Sequence, residues 1–302
     1  MLTRLITISV LLVAVAVPAS ALDQNPKSLV IVDTGFDTEL PIFHDRVLGE
    51  VCILDWSSCP NKGYFQEGPG AAYLPRAISS FNGFYHGTQM ASIALAQDRG
   101  FKVVLIRIIA HSSTGNRLPA QDQTVAKVLE WVILNKDKFN VGAIAMAQGH
   151  AGNRLARDYC PKFENIDKKI LELKRLDIPF VVPAGNDGNK FQINWPACIP
   201  SALAIGASNS EDQIASYSNI DRTLVDFYAP GKADSMLPSG KITPSIGTSV
   251  STIIAASNWV SIANKNPSKT YSELVQYFRG GPIIFDEKFN YGRKMLFESF
   301  TQ

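Results

Sequence analysis

Short apolar, β-branched runs alternate with longer segments of helical period along most of the 302-residue chain, and this alternation leaves few architectures open. Ser28 to Val32 (SLVIV) has the pattern of a strand buried on both faces, stopped by the turn signal Asp33-Thr34-Gly35. Lys102 to Ile109, Val141 to Gln148, Phe180 to Val182 and Ala202 to Ala207 read as further strands. Gln121 to Phe139 and Asn165 to Leu176 carry amphipathic helical patterns between them. From Gly247 to about Asn264 apolar residues occupy every face, as expected of a helix buried within a domain. Thr270 with Glu273 forms a capping box ahead of another helix, and a last helix is expected over Tyr291 to Phe300. The pattern predicts an α/β fold, a mostly parallel central sheet flanked by helices, with ligands gathered at the carboxyl ends of strands. Ser57 to Gly70, rich in Gly, Pro and Ser, reads as a surface loop.

Composition bounds the rest. A hydrophobic content of 46% fills one sizeable core, and 29 basic against 27 acidic side chains, without a run of five like charges, advertise no nucleic-acid groove. Arg4, the apolar stretch Leu5 to Val17 and the small triplet Ala19-Ser20-Ala21 form a secretory signal with a cut expected after Ala21. Residues 22–302 are then one exported domain, periplasmic or extracellular. No other window reaches the roughly 18 unbroken apolar residues of a spanning helix, so no membrane partner is expected. Export lets Cys52, Cys59, Cys160 and Cys198 pair. Three connectivities exist; proximity favours Cys52 with Cys59, which leaves Cys160 for Cys198, and a four-thiolate metal site lacks the C-x-x-C spacing it needs.

Four short segments carry chemistry. Asp33 sits where an apolar strand ends, a place where a turn-capping carboxylate is common. His86 opens His86-Gly87-Thr88 at the start of a tightly packed helix, where helix N–H dipoles disfavour an over-stabilised imidazolium. His44, His111 and His150 lack that setting. Ser249, in Gly247-Thr248-Ser249, presents its hydroxyl from the first turn of the buried helix, where N–H groups favour developing negative charge. Asn186, in Ala184-Gly185-Asn186-Asp187-Gly188, is a neutral amide donor in a turn leaving a strand. Each segment alone has an ordinary structural explanation; their order along the chain does not.

Together these segments resemble the subtilisin-like serine proteases, or subtilases, over almost the whole chain after the signal. The order Asp33, His86, Ser249 is that of subtilisin and differs from chymotrypsin and from α/β-hydrolases, whose G-x-S-x-G serine precedes the histidine. Trp195 to Ala207, Ala215 to Asn219 and Asp226 to Gly231 are similar to connecting segments of the family. The resemblance implies a three-layer subtilisin-like fold and a secreted serine endopeptidase. Ser249 would be the nucleophile, His86 the base, Asp33 the residue orienting the imidazole, and Asn186 with the Ser249 N–H the oxyanion donors. Met146, Ala147, Gln148 and Gly149 correspond to a substrate-flanking strand that pairs with extended polypeptides through its backbone.

Departures from the family pattern are local. Ser249-Val250-Ser251-Thr252-Ile253 replaces the usual Met-Ala and Pro after the serine, so a straighter helix is expected there. Ala147 stands in place of a small hydroxyl residue. Only Leu22 to Lys27 separate the expected cut from the first strand, which leaves no room for a folding propeptide. Three alternatives follow: a domain that folds unaided, a partner inhibitor or chaperone, or an attenuated relative that binds peptides without cutting them. No cofactor is implied. Calcium stabilises many relatives, but no D-x-D-x-D-G loop is present, and Asp37, Glu39 and Asp45 read as solvated charges.

Overall fold

The computed structural model describes residues 25–55, 59–74, 83–98, 100–112, 114–149, 160, 163–286 and 290–297. The expected signal segment, residues 1–21, and His150 lie outside the described residues. The strands are β1 (Ser28–Asp33), β2 (Val47–Ile53), β3 (Phe65–Glu67), β4 (Val103–Arg107), β5 (Ala110–His111), β6 (Arg117–Leu118) and β7 (Val141–Met146). They continue with β8 (Phe180–Pro183), β9 (Leu203–Ser208), β10 (Val225–Pro230), β11 (Lys232–Met236), β12 (Ile242–Ile246), β13 (Ile283–Phe285) and β14 (Tyr291–Arg293). The helices are α1 (His86–Gln97), α2 (Asp122–Asn135), α3 (Glu164–Arg175), α4 (Thr248–Lys265) and α5 (Tyr271–Phe278).

Among the described residues eight strands form the central sheet, in the order β10-β9-β8-β7-β1-β4-β2-β3. Every pairing in it is parallel except that of the edge strand β3 with β2. Side-chain alternation divides the core into two layers. Val30, Val32, Ile106, Ile144 and Val182 face α2 and α3, meeting Val125, Leu129, Ile166 and Ile170. Leu29, Ile31, Leu105, Ala145 and Ile205 face α1 and α4, meeting Met90, Ile253 and Trp259. Each such fully buried aliphatic side chain contributes about 1.5–3 kcal/mol, which is why the strands read as unbroken apolar runs. The expected three-layer α/β fold is the one observed.

The topology also fixes where a ligand can sit. From β1 the chain goes out to β2 and the edge strand β3, returns to β4 beside β1, and then crosses to build outward through β7, β8, β9 and β10 on the other side. The strand order therefore reverses between β1 and β7, and the crevice at their carboxyl ends opens beside Asp33 and Met146. α4 runs uninterrupted for 18 residues behind this crevice, with Ile253 fully buried where a proline was the family expectation. Disulfides join Cys52 to Cys59 and Cys160 to Cys198, each with 5.8 Å between Cα atoms, the pairing that proximity favoured.

Three expectations are corrected. Tyr291 to Arg293 is a strand rather than the start of a helix: it pairs antiparallel with β13, and Gly292 packs so tightly on the Tyr228 ring that a side chain there would overlap it. Ile283, Ile284 and Phe285 on one arm and Tyr291 on the other favour that hairpin over a helix containing glycine. Within the expected loop from Ser57 to Gly70, Phe65–Glu67 adds an edge strand to β2. Asp37 is fully buried rather than solvated, its backbone N–H donating to the Thr88 hydroxyl at 3.0 Å, whereas Glu39 and Asp45 are exposed. The capping box of Thr270 and Glu273 forms as expected at the start of α5.

Glu50 on β2 is 8% exposed, and burial raises its carboxyl pKa, opposed by backbone N–H groups of Gly70 and Ala72. The neutral form is therefore favoured in the fold, so the stability it contributes is complete below the unfolded carboxyl pKa and lost as pH rises through the folded value. Glu50→Gln should gain stability relative to the parent as pH rises from 4 to 8, measured by urea denaturation at both values. A difference that shrinks toward pH 8 would contradict this.

Candidate active site

Asp33, the last residue of β1, is fully buried, and His86, the first residue of α1, has its side chain 25% exposed. The His86 Nδ1 lies 2.9 Å from both carboxylate oxygens of Asp33. Because a carboxylate only accepts, Nδ1 carries the hydrogen and Nε2 is left as the basic nitrogen. The Thr34 N–H donates to Asp33 Oδ1 at 2.6 Å, and Gln148 Nε2 donates to the same oxygen at 2.8 Å.

The two motifs that supply Asp33 and His86 are tied to each other through their threonines. The Thr34 hydroxyl donates to the Phe84 carbonyl and accepts from the Gly87 N–H, both at 2.9 Å, while Thr88 accepts from Asp37 N–H. Gly87 is required by close approach: a Cβ there would overlap the Gly35 carbonyl oxygen. Asp-Thr-Gly and His-Gly-Thr are thus complementary halves of one clasp, a relation that spacing in the sequence does not display.

A second clasp brings the remaining segments together. The Asn186 Oδ1 accepts from the Thr248 N–H at 2.8 Å and from its hydroxyl at 2.9 Å. The Thr248 hydroxyl also accepts from the Gly185 N–H at 3.3 Å. Gly185 and Gly247 have φ of +111° and +149°, and a Cβ on Gly185 would lie 2.5 Å from Asn194 Nδ2. With its oxygen held by Thr248, Asn186 keeps its Nδ2 without a hydrogen bond among the described residues. The Ser249 N–H, in the first turn of α4, is likewise unengaged, as the geometry of a helix start requires.

His86, Asn186 and Ser249 line one open cavity of about 650 Å³, together with Met146, Ala147, Gln148 and Gly149. The Ser249 Oγ donates to the Ala147 carbonyl at 3.1 Å. The Ala147 N–H is tied to the Val32 carbonyl at 3.3 Å, but the backbone groups of Gln148 and Gly149 make no hydrogen bond among the described residues. A side chain at Gly149 would come within 2.9 Å of the Trp195 carbonyl, so the strand end stays bare.

Arg117 and the side-chain role of Gln148 were not foreseen. Arg117, on the short β5–β6 hairpin, lines the same cavity and donates from Nη2 to Gln148 Oε1 at 2.5 Å. Burial lowers the Arg117 pKa, and the nearby Asp33 charge opposes that shift. No motif surrounds Arg117; only its late position after β4 could have suggested the site.

The subtilase family model matches residues 27–279. The chain belongs to the subtilase family. Subtilisin NAT of Bacillus subtilis subsp. natto is 27% identical over 239 residues, which are 75% of this chain and 58% of that relative, so the chain spans less than two thirds of its length. The subtilisin of Bacillus pumilus is 27% identical over 239 residues, 75% of this chain and 81% of the relative. A crystal structure of a cold adapted subtilisin-like serine proteinase shares the fold, with a TM-score of 0.65 at 19% identity over 90% of this chain and 89% of that one.

The clasp between Asp33 and His86 makes two variants informative. Gly87→Ala should destabilise the fold by about 1–3 kcal/mol through overpacking against Gly35. Thr34→Val should cost about the same by stranding the Gly87 N–H and the Phe84 carbonyl without their partner. Equilibrium unfolding of both measures this; parent-like stability for the two would contradict the described packing.

Proposed function

We propose that this chain is a serine endopeptidase that hydrolyses polypeptides through Ser249, His86 and Asp33. The observation that carries the proposal is the Asp33–His86 hydrogen bond opening onto a cavity that Ser249 and Asn186 also line. In the reaction the Ser249 hydroxyl turns from the Ala147 carbonyl toward His86 Nε2, gives up its proton there and attacks the scissile carbonyl carbon. Asp33 fixes the imidazole tautomer and stabilises the imidazolium. The tetrahedral oxyanion accepts hydrogen bonds from Asn186 Nδ2 and the Ser249 N–H, the two donors that the resting protein leaves unengaged. Collapse passes the proton from His86 to the leaving amine and leaves an acyl group on Ser249, which water then releases by the same route in reverse.

Extended polypeptides are the proposed substrates. The backbone groups of Gln148 and Gly149, without a hydrogen bond among the described residues, can pair with a peptide main chain, a mode of recognition that reads shape before side chains. Export is proposed as well: the first 21 residues have the composition of a secretory signal, and two disulfides suit an oxidising compartment. Among the described residues no helix is long and apolar enough to cross a membrane.

The test uses unfolded casein and a fluorophosphonate probe. Casein should be cleaved and the probe should label Ser249, with Ser249→Ala abolishing both. Asn186→Ala should lower kcat by about 10²–10³, the order that loss of such an amide produces in a subtilisin. A folded parent that binds casein without cleaving it and resists the probe would favour a peptide-binding protein instead.

A further inference from the structure

Asp33 and His86 are not the end of the hydrogen-bond chain. Gln148 lies at the end of β7, and its side chain turns inward rather than along the peptide groove. Its Nε2 sits 2.8 Å from Asp33 Oδ1 and 3.0 Å from His86 Nδ1. Both nitrogens carry hydrogen, so their approach reflects a shared acceptor, Asp33, not a bond between them. The amide orientation is fixed chemically: its other end meets a guanidinium, which only donates, and this end meets a carboxylate, which only accepts.

The result is a directed series from Arg117 through Gln148 and Asp33 to His86. Each donor polarises the next, so the guanidinium strengthens the Gln148 amide as a donor. Asp33 Oδ1 then accepts from Thr34 N–H, Gln148 Nε2 and His86 Nδ1. Sharing the carboxylate this way leaves less of its charge to stabilise the imidazolium. The other charged group lining the cavity with His86 and Arg117 is Asp187, whose Oδ2 accepts from Asn194 at 2.7 Å and Asn219 at 3.2 Å. From the β5–β6 side His111 meets Phe84 edge to face and bonds through its ring nitrogen with the Ser112 carbonyl at 3.1 Å.

We infer that Gln148, held by Arg117, is a positioning residue for the Asp33–His86 couple and keeps His86 less basic than Asp33 alone would make it. The inference rests on the protease reading only where turnover is measured; the ring's titration can be followed without it.

The experiment is a proton and carbon NMR titration of His86 in the mature chain, with the pH profile of kcat/KM beside it. Gln148→Met keeps the bulk and removes the amide. It should raise the His86 midpoint by about half a pH unit or more, since an unshared carboxylate favours the imidazolium. The acid limb of kcat/KM should move by the same amount, with kcat falling about tenfold and KM changing less than threefold. Arg117→Met should move the midpoint the same way, and by less when Gln148 is already Met, because the arginine acts partly through the amide. A midpoint shift in a protein that does not cleave casein would sustain this inference while the protease reading fails. An unchanged midpoint in folded Gln148→Met overturns it, and additive effects of the two substitutions overturn the coupling between them. Should Gln148→Met not fold, Gln148→Leu, which also removes the amide, gives the same readout.

Discussion

The hydrogen bond between the buried Asp33 carboxylate and His86 Nδ1 is the contact on which the rest of the site depends. A carboxylate with no exposure is costly unless its charge is matched by donors, and here an imidazole, a backbone N–H and an amide supply them. Placing those donors requires three elements to end at one point: β1, whose last residue is Asp33, α1, whose first is His86, and β7, which delivers Gln148. The reversal of strand order between β1 and β7 is what makes that convergence possible.

The same logic explains why threonine and glycine recur in the motifs. Thr34 and Thr248 are adapters, each taking a backbone or side-chain partner from a distant segment. Gly87 and Gly185 permit approaches that a side chain would block. The setting of Ser249 is thus prepared by threonine and glycine residues drawn from distant segments. Ser249 rests on the Ala147 carbonyl, just before Gln148 and Gly149, whose backbone groups make no hydrogen bond among the described residues, so its hydroxyl is held at the cavity wall.

Much of this was legible in the sequence. Strands β1, β4, β7, β8 and β9 are unbroken apolar runs because both faces are buried, and α4 is apolar all round for the same reason. The segments that meet at the cavity were legible through motifs in order, and the disulfides through proximity. What escaped had weaker local signals. β2 and the β11–β12 hairpin mix exposed and buried positions, and the terminal β13–β14 hairpin depends on Tyr228 packing against Gly292. Arg117 and the inward turn of Gln148 depend on contacts 31 and 115 residues apart in sequence, which no local pattern encodes.

A crystal structure of the phosphonylated protein tests the account most directly. It should show phosphorus bonded to Ser249 Oγ and the phosphoryl oxygen about 2.7–3.1 Å from both Asn186 Nδ2 and the Ser249 N–H nitrogen, with His86 Nε2 facing the adduct. An adduct on another residue, or a phosphoryl oxygen turned away from Asn186 into solvent, would contradict it.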